Sequence, residues 1–225
     1  MPVTKQSPTL GGGHKVEYAG EAMRRSALIA AIVLAFVGCT KHTPKPEVQT
    51  QIGVASWYGH PFDGRLTASG DVYDMEKMTA AHRTLPFGTV LHVVNLGNNK
   101  TTEVRINDRG PFVKDRIIDL SHAAAQTISM PGIANVRLEV VSMPPTRGVE
   151  TFAVQVGAFP QRSDADKMRA QLAGKYGSAQ LIFRQGDQTW RVLVGTEPTE
   201  EGANTLARQL EKESGPAYVV LLDAE

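Results

Sequence analysis

"TTEVRINDRGP", residues 101–111, sets the reading of the first half of the chain. Up to Ile106 apolar and polar residues alternate, the period of a strand with one buried face. Asn107, Asp108, Gly110 and Pro111 are turn formers that stop it, and they leave Asp108 beside Arg109. Upstream, "TVLHVVN" (89–95) and the turn "LGNNK" (96–100) complete a hairpin with it. Downstream, "RIIDL" (116–120) is a short strand, Ser121 is placed as the N-cap of a short helix "HAAAQTI", and "NVRLEVV" (135–141) closes the region as a strand. With the β-rich "GVASWYG" (53–59) ahead, these pieces predict a small barrel with an inserted helix.

The second half has a different rhythm. "TFAVQV" (151–156) is a strand. Ser163 is expected to cap a helix carrying Ala165, Met168, Leu172 and Tyr176 on one face, ended by Gly177. "AQLIFR", "QGDQ" and "TWRVLV" form a hairpin over 179–194. Thr199 begins a second helix with Ala203, Leu206, Ala207 and Leu210 on one face and Gly215 at its end, and "AYVVLL" (217–222) is the last strand. The order is βαββαβ, a split βαβ sandwich. The chain is thus mostly β first and α+β second, with "SMPPTRGVE" between.

Ahead of both domains, "MRRSALIAAIVLAFVGC" (23–39) joins two arginines to an apolar run, Ala27 to Val37. The run is shorter than the roughly 20 residues a spanning helix needs, and it fits a secretory signal peptide. Gly38 before Cys39 resembles a lipobox, which marks Cys39 for lipidation; Phe36 stands where Leu is usual. The domain reading is therefore an N-terminal extension at 1–22, a signal peptide at 23–38, a linker at 40–50, a barrel at 51–142, a linker at 143–150 and the βαββαβ domain at 151–225.

Composition narrows the function. Lys and Arg number 24 against 23 Asp and Glu, a net charge of +1, so nothing electrostatic points to nucleic acid. A lone cysteine allows no disulfide within one chain, and the scattered histidines suggest no metal site. "GGGH" (11–14) lacks the Lys-Ser/Thr of a phosphate loop, and no cofactor is expected. The chain is expected to be a monomer.

"GVASWYG", "FDGRLTASGDVYD", "MTAAHRTLPFGTVLHVVN", "VRINDRGP" and "IIDLSHAAA", in that order over residues 53–125, resemble the rare lipoprotein A family. "FAVQVGAF" and "WRVLVGTE" resemble a SPOR domain. The resemblance implies a double-psi β-barrel followed by a peptidoglycan-binding module. It also implies an endolytic lytic transglycosylase acting on glycan strands stripped of stem peptides, anchored by Cys39 in the cell envelope, at the periplasmic face of the outer membrane and enriched at the septum. The family's acidic positions fall on Asp71, Asp74 and Asp108; the first is usually Glu.

Cleavage of a glycosidic bond needs a proton donor, and a transglycosylase can use one carboxyl as acid and then as base. Asp108 is the candidate, with a turn-stabilising role as the alternative. Its pKa would have to be raised, by burial or by Asp71 and Asp74 converging on it; these two are otherwise plain loop polarity. Arg109 is expected to point away from Asp108 and is a candidate groove residue. His82 is either a glycan or carboxylate contact or a satisfied structural histidine. Trp57 and Tyr58 are either sugar platforms or core. In the second domain, strand alternation puts Phe152, Val154, Val156, Trp190, Val192 and Val194 towards the helices. Gln155 and Arg191 fall on the other face as glycan contacts, and Phe159 in the following loop is undecided. The rival reading is a non-catalytic, expansin-like septal lipoprotein; an RNA-recognition fold fails for want of the aromatic strand signature.

Overall fold

Each alternating segment becomes a strand in a computed structural model of the chain, which describes residues 50–145 and 149–222. The first domain holds β1 (Thr50–Tyr58), β2 (Thr79–Ala81), β3 (Val90–Asn95), β4 (Thr101–Asp108), β5 (Arg116–Ser121), α1 (His122–Thr127) and β6 (Ala134–Ser142). The strands close into a barrel in the order β1-β5-β2-β4-β3-β6. Two pairs are parallel, β1 with β5 and β2 with β4, and the remaining neighbours are antiparallel.

The alternation in β4 is real: Thr102, Val104 and Ile106 are buried while Thr101, Glu103 and Arg105 are exposed. Val104 and Ile106 meet Leu91, Val93, Ile118, Leu120, Val136 and Leu138 inside the barrel. Truncating one of these to Ala would cost about 2–5 kcal/mol. Ser121 caps α1 as expected, its hydroxyl accepting from the Ala124 N–H. Ala124, Ala125 and Ile128 then join the barrel core. The turn between β3 and β4 is tied down by Asn95 and Asn98, whose amides both donate to the Ile128 carbonyl at 3.0 Å. β2 had no expectation attached to it. Three residues, Thr79, Ala80 and Ala81, are too short to show a period and are buried on both faces.

The second domain runs β7 (Thr151–Phe159), α2 (Arg162–Tyr176), β8 (Ala179–Arg184), β9 (Thr189–Glu197), α3 (Glu200–Ser214) and β10 (Tyr218–Leu222), with sheet order β10-β7-β9-β8. Thr199 and Gly177 cap as expected: the Thr199 hydroxyl accepts from the Gly202 N–H, and Gly177 takes the left-handed conformation that lacks a Cβ penalty. Ser163 does not cap α2. The helix starts two residues earlier than a Ser163 cap would place it, after Gln161, which makes no side-chain cap bond, because only Pro160 and Gln161 separate it from β7.

Phe152, Val154, Val156, Val192 and Val194 pack under the helices, as the alternation requires. The opposite face of the sheet is not open to solvent. Ala153, Leu193 and Val220 form a second buried cluster that includes Phe112 of the barrel domain. The Leu221 N–H donates to the Arg83 carbonyl at 3.0 Å, and the Arg83 guanidinium lies 5.8 Å from the Tyr218 ring. The described residues of the two domains accordingly form a single compact unit.

Candidate active site

β2 organises the open end of the barrel. Ala81 pairs with Asp108 on β4 and with Asp119 on β5. The two carboxylates therefore stand on either side of one methyl group, two strand spacings or about 10 Å apart at Cα. The register steps from Ile106 opposite Ala80 to Asp108 opposite Ala81, so Asn107 is an extra residue in β4. A bulge of this kind re-aims the next side chain. Without it, Asp108 would share the core-facing parity of Ile106. On β1, Ser56 is in register with Asp119. Ser56, Tyr58, Tyr73, Asp108 and Asp119 line a cavity of about 520 Å³, whose outer wall includes Arg184 and Arg191 of the second domain.

The carboxylates are held differently. Asp108 Oδ1 accepts from the Ala68 and Arg109 N–H groups, each at 2.8 Å, and from Arg184 Nη1 at 3.1 Å. Asp119 Oδ1 accepts from the Ser56 hydroxyl, and its Oδ2 is 3.6 Å from Arg116 Nη2. Burial pushes both carboxyls above the ordinary aspartate range. Asp108 is pulled back by Arg184, the two amides and Arg109, and Asp119 is pulled back by the Ser56 hydroxyl and Arg116 but raised by Asp108. The Tyr58 hydroxyl is buried with no hydrogen-bond partner among the described residues. Burial, with Asp108 second, raises its pKa, so it stays a donor.

The predicted site residues scatter. Asp71 and Asp74 do not converge on Asp108. Asp71 pairs with Arg105 at 3.0 Å and accepts from the Asn107 amide at 3.4 Å. These bonds, the Arg105 one foremost, lower its pKa. Asp74 accepts from the Glu76 N–H at 2.9 Å and sits 3.7 Å from Lys77. Neither lines the cavity. Burial, rather than these two aspartates, raises Asp108.

His82 is buried, and both its nitrogens are used. Nδ1 receives the Thr84 and Leu85 N–H groups at 3.2 and 3.1 Å, which leaves Nε2 to donate to Gln51 at 3.1 Å. It shapes the turn behind the site and does not reach the cavity. The Arg109 guanidinium is engaged by other partners, but its charge still lowers the Asp108 pKa. It donates to the His82 and Leu85 carbonyls and lies 3.8 Å from the Phe87 ring, so it is a support and not a free groove cation.

Trp57 lies at the cavity rim, its indole N–H 3.3 Å from the Pro131 carbonyl and its ring 5.1 Å from His122. Tyr58 is stacked on Tyr73 at 4.3 Å, so one face of its ring is occupied, and the residue lines the cavity. Gln155 is on the predicted sheet face but only 5% exposed, because the barrel covers that face. Arg191 is paired with Asp187 and lies 5.1 Å from the Phe112 ring. Phe159 packs into the helix-side core with Trp190. Cys39 and the apolar run before it lie outside the described residues. Among the described residues no group of three or more His, Cys, Asp or Glu is arranged around a metal site.

Asp119, Ser56 and Arg184 are among the cavity residues to which the sequence assigns no role. Asp119 left a trace: a lone acid inside the apolar "RIIDL" of a buried strand. A buried acid of raised pKa beside a fixed carboxylate can donate a proton while its neighbour faces developing positive charge.

Comparison with known proteins agrees with both halves of the chain. Residues 50–140 match the family described as "Lytic transglycolase", and residues 148–221 match the SPOR domain. The endolytic peptidoglycan transglycosylase RlpA of Vibrio cholerae is 40% identical over 175 residues, 73% of this chain and 66% of that protein. The protein of the same name from Helicobacter pylori is 42% identical over 170 residues, 75% of this chain and 51% of that protein. The Haemophilus influenzae protein is 56% identical over 147 residues, 64% of this chain and 50% of that protein. The chain thus spans about half to two thirds of these relatives.

Proposed function

The chain belongs to the rare lipoprotein A family, and from that premise we propose that its barrel is an endolytic peptidoglycan lytic transglycosylase. The observation that carries the reading is the pair Asp108 and Asp119 facing each other across Ala81 in the cavity. Their hydrogen bonds divide the work. Two backbone amides on one oxygen, which stay in place with or without Arg184, favour Asp108 as the ionised member. The proton is assigned to Asp119, which has one hydroxyl donor, Arg116 no nearer than 3.6 Å and Asp108 as a negative neighbour. This moves the acid role from Asp108, where the sequence alone puts it, to its partner.

Asp119 protonates the glycosidic oxygen as the bond from muramoyl C1 breaks. The positive charge at C1 is stabilised by the Asp108 carboxylate. Asp119, now ionised, takes the proton of the muramoyl C6 hydroxyl, whose oxygen closes on C1. The product is a 1,6-anhydro end, and no water is consumed. Within this reading the substrate is a strand without stem peptides, the SPOR domain directs the protein to the division septum, and a lipid on Cys39 holds it at the outer membrane. Incubation with peptide-free strands should release anhydro-muramoyl ends detectable by mass spectrometry. Strands left intact would exclude the enzyme and leave a binding lipoprotein.

A further inference from the structure

Two cavities meet at Arg184. One holds the carboxyl pair. The other, about 540 Å³, runs between the barrel and the covered face of the sheet, along Gln155, Ile182, Leu193 and Val220. They share Leu66, Thr67, Arg109, Arg184 and Arg191 as walls. Of the arginines, Arg109 is committed to backbone carbonyls and Arg191 to Asp187. Arg184 makes one ion pair among the described residues, to Asp108, and stays about a fifth exposed. That pair is not what holds Asp108. The same oxygen is fixed by two backbone amides at shorter distance, so Arg184 can leave without loosening it.

We propose that the two cavities are one trough binding a single glycan strand across both domains, and that Arg184 exchanges Asp108 for the lactyl carboxylate of a peptide-free muramoyl residue. The inference rests on the transglycosylase reading for its substrate class. The chemistry follows from what a stem peptide does to that group. Attached, it turns the lactyl carboxyl into a neutral amide; removed, it leaves a carboxylate, the planar anion that a guanidinium fork matches. A sugar without this charge offers nothing to draw Arg184 from Asp108. The hairpin carrying Arg184 is seated firmly enough to serve as a wall. Arg65 donates to the Gly186 carbonyl at 3.3 Å, and a Cβ on Gly186 would fall 2.1 Å from the Leu66 carbonyl oxygen.

The test compares peptide-free strands with the same strands whose lactyl carboxyls are converted to methylamides. Binding to the full chain is read by fluorescence anisotropy, without turnover. Wild type should bind the carboxylate strand about tenfold tighter or more, the worth of one charge-assisted contact. Arg184→Gln should bind the two strands alike, and Arg184→Lys should recover part of the preference. Equal binding of both strands by wild type overturns the proposal, and that result needs no variant to fold. So does an Arg184→Gln protein that keeps the full preference. Absence of anhydro product with the binding preference intact would count against the catalytic reading alone.

Discussion

His82 should make the fold acid-sensitive in a defined way. Its Nδ1 accepts two backbone N–H groups, and the ring is buried near Arg83 and Arg109. Burial first, and those two cations after it, lower its pKa from 6.5 to about 3. Between these values the unfolded chain holds a proton that the folded chain refuses. The stability is therefore fully present above pH 6.5 and is lost as pH falls towards 3. At about 1.36 kcal/mol per pKa unit, the whole window is on the order of 4–5 kcal/mol. His82→Asn keeps an acceptor where Nδ1 stands but cannot titrate. Urea unfolding of both proteins from pH 7 down to 4 should show wild-type stability falling faster than the variant's, by close to one proton's slope. Asp108 and Asp119 titrate with opposite sign, since raised carboxyl pKa values favour the fold as pH falls, but both proteins carry them and they cancel in the difference. Parallel pH curves, or an Nδ1 proton seen by NMR at neutral pH, would refute the reasoning.

Asp119→Asn should cut activity on the order of 10²–10⁴-fold while raising the melting temperature at neutral pH, because a buried carboxyl that ionises only at a cost is gone. Wild-type rate should fall as pH rises through the raised Asp119 pKa; a variant that melts lower at pH 7 with its activity intact would contradict both points. Gly186→Val should lift the β8–β9 hairpin off Leu66, and hydrogen exchange at the Leu221 amide, bonded to Arg83, should quicken. Unchanged exchange there would mean the hairpin does not fasten the two domains.

Strand alternation and caps make most of the fold legible in the sequence. β4, α1, α3 and the helix-facing side of the second sheet all follow from local periodicity and capping. What stayed hidden depends on contacts distant in sequence. β2 is only three residues long, yet as the strand between β4 and β5 it sets Asp108 opposite Asp119. A bulge at Asn107 is a register event, invisible in one strand read alone. Gln155 was sorted to the correct face, but alternation distinguishes faces and not what covers them. Family likeness groups Asp71 and Asp74 with Asp108, whereas the loop they share turns them towards Arg105 and Lys77. Arg184 reaches Asp108 from 76 positions away, a distance no motif spans.

The central claim is that one carboxyl in the cavity serves first as acid and then as base, with the substrate's own C6 hydroxyl as nucleophile. Cleavage of peptide-free strands in heavy-oxygen water tests it most directly. The account expects muramoyl ends one water lighter than a hydrolysed end and free of the label, formed by wild type and lost in Asp119→Asn. Labelled, reducing muramoyl ends would contradict it, because they would place a water where the account places the sugar's own hydroxyl.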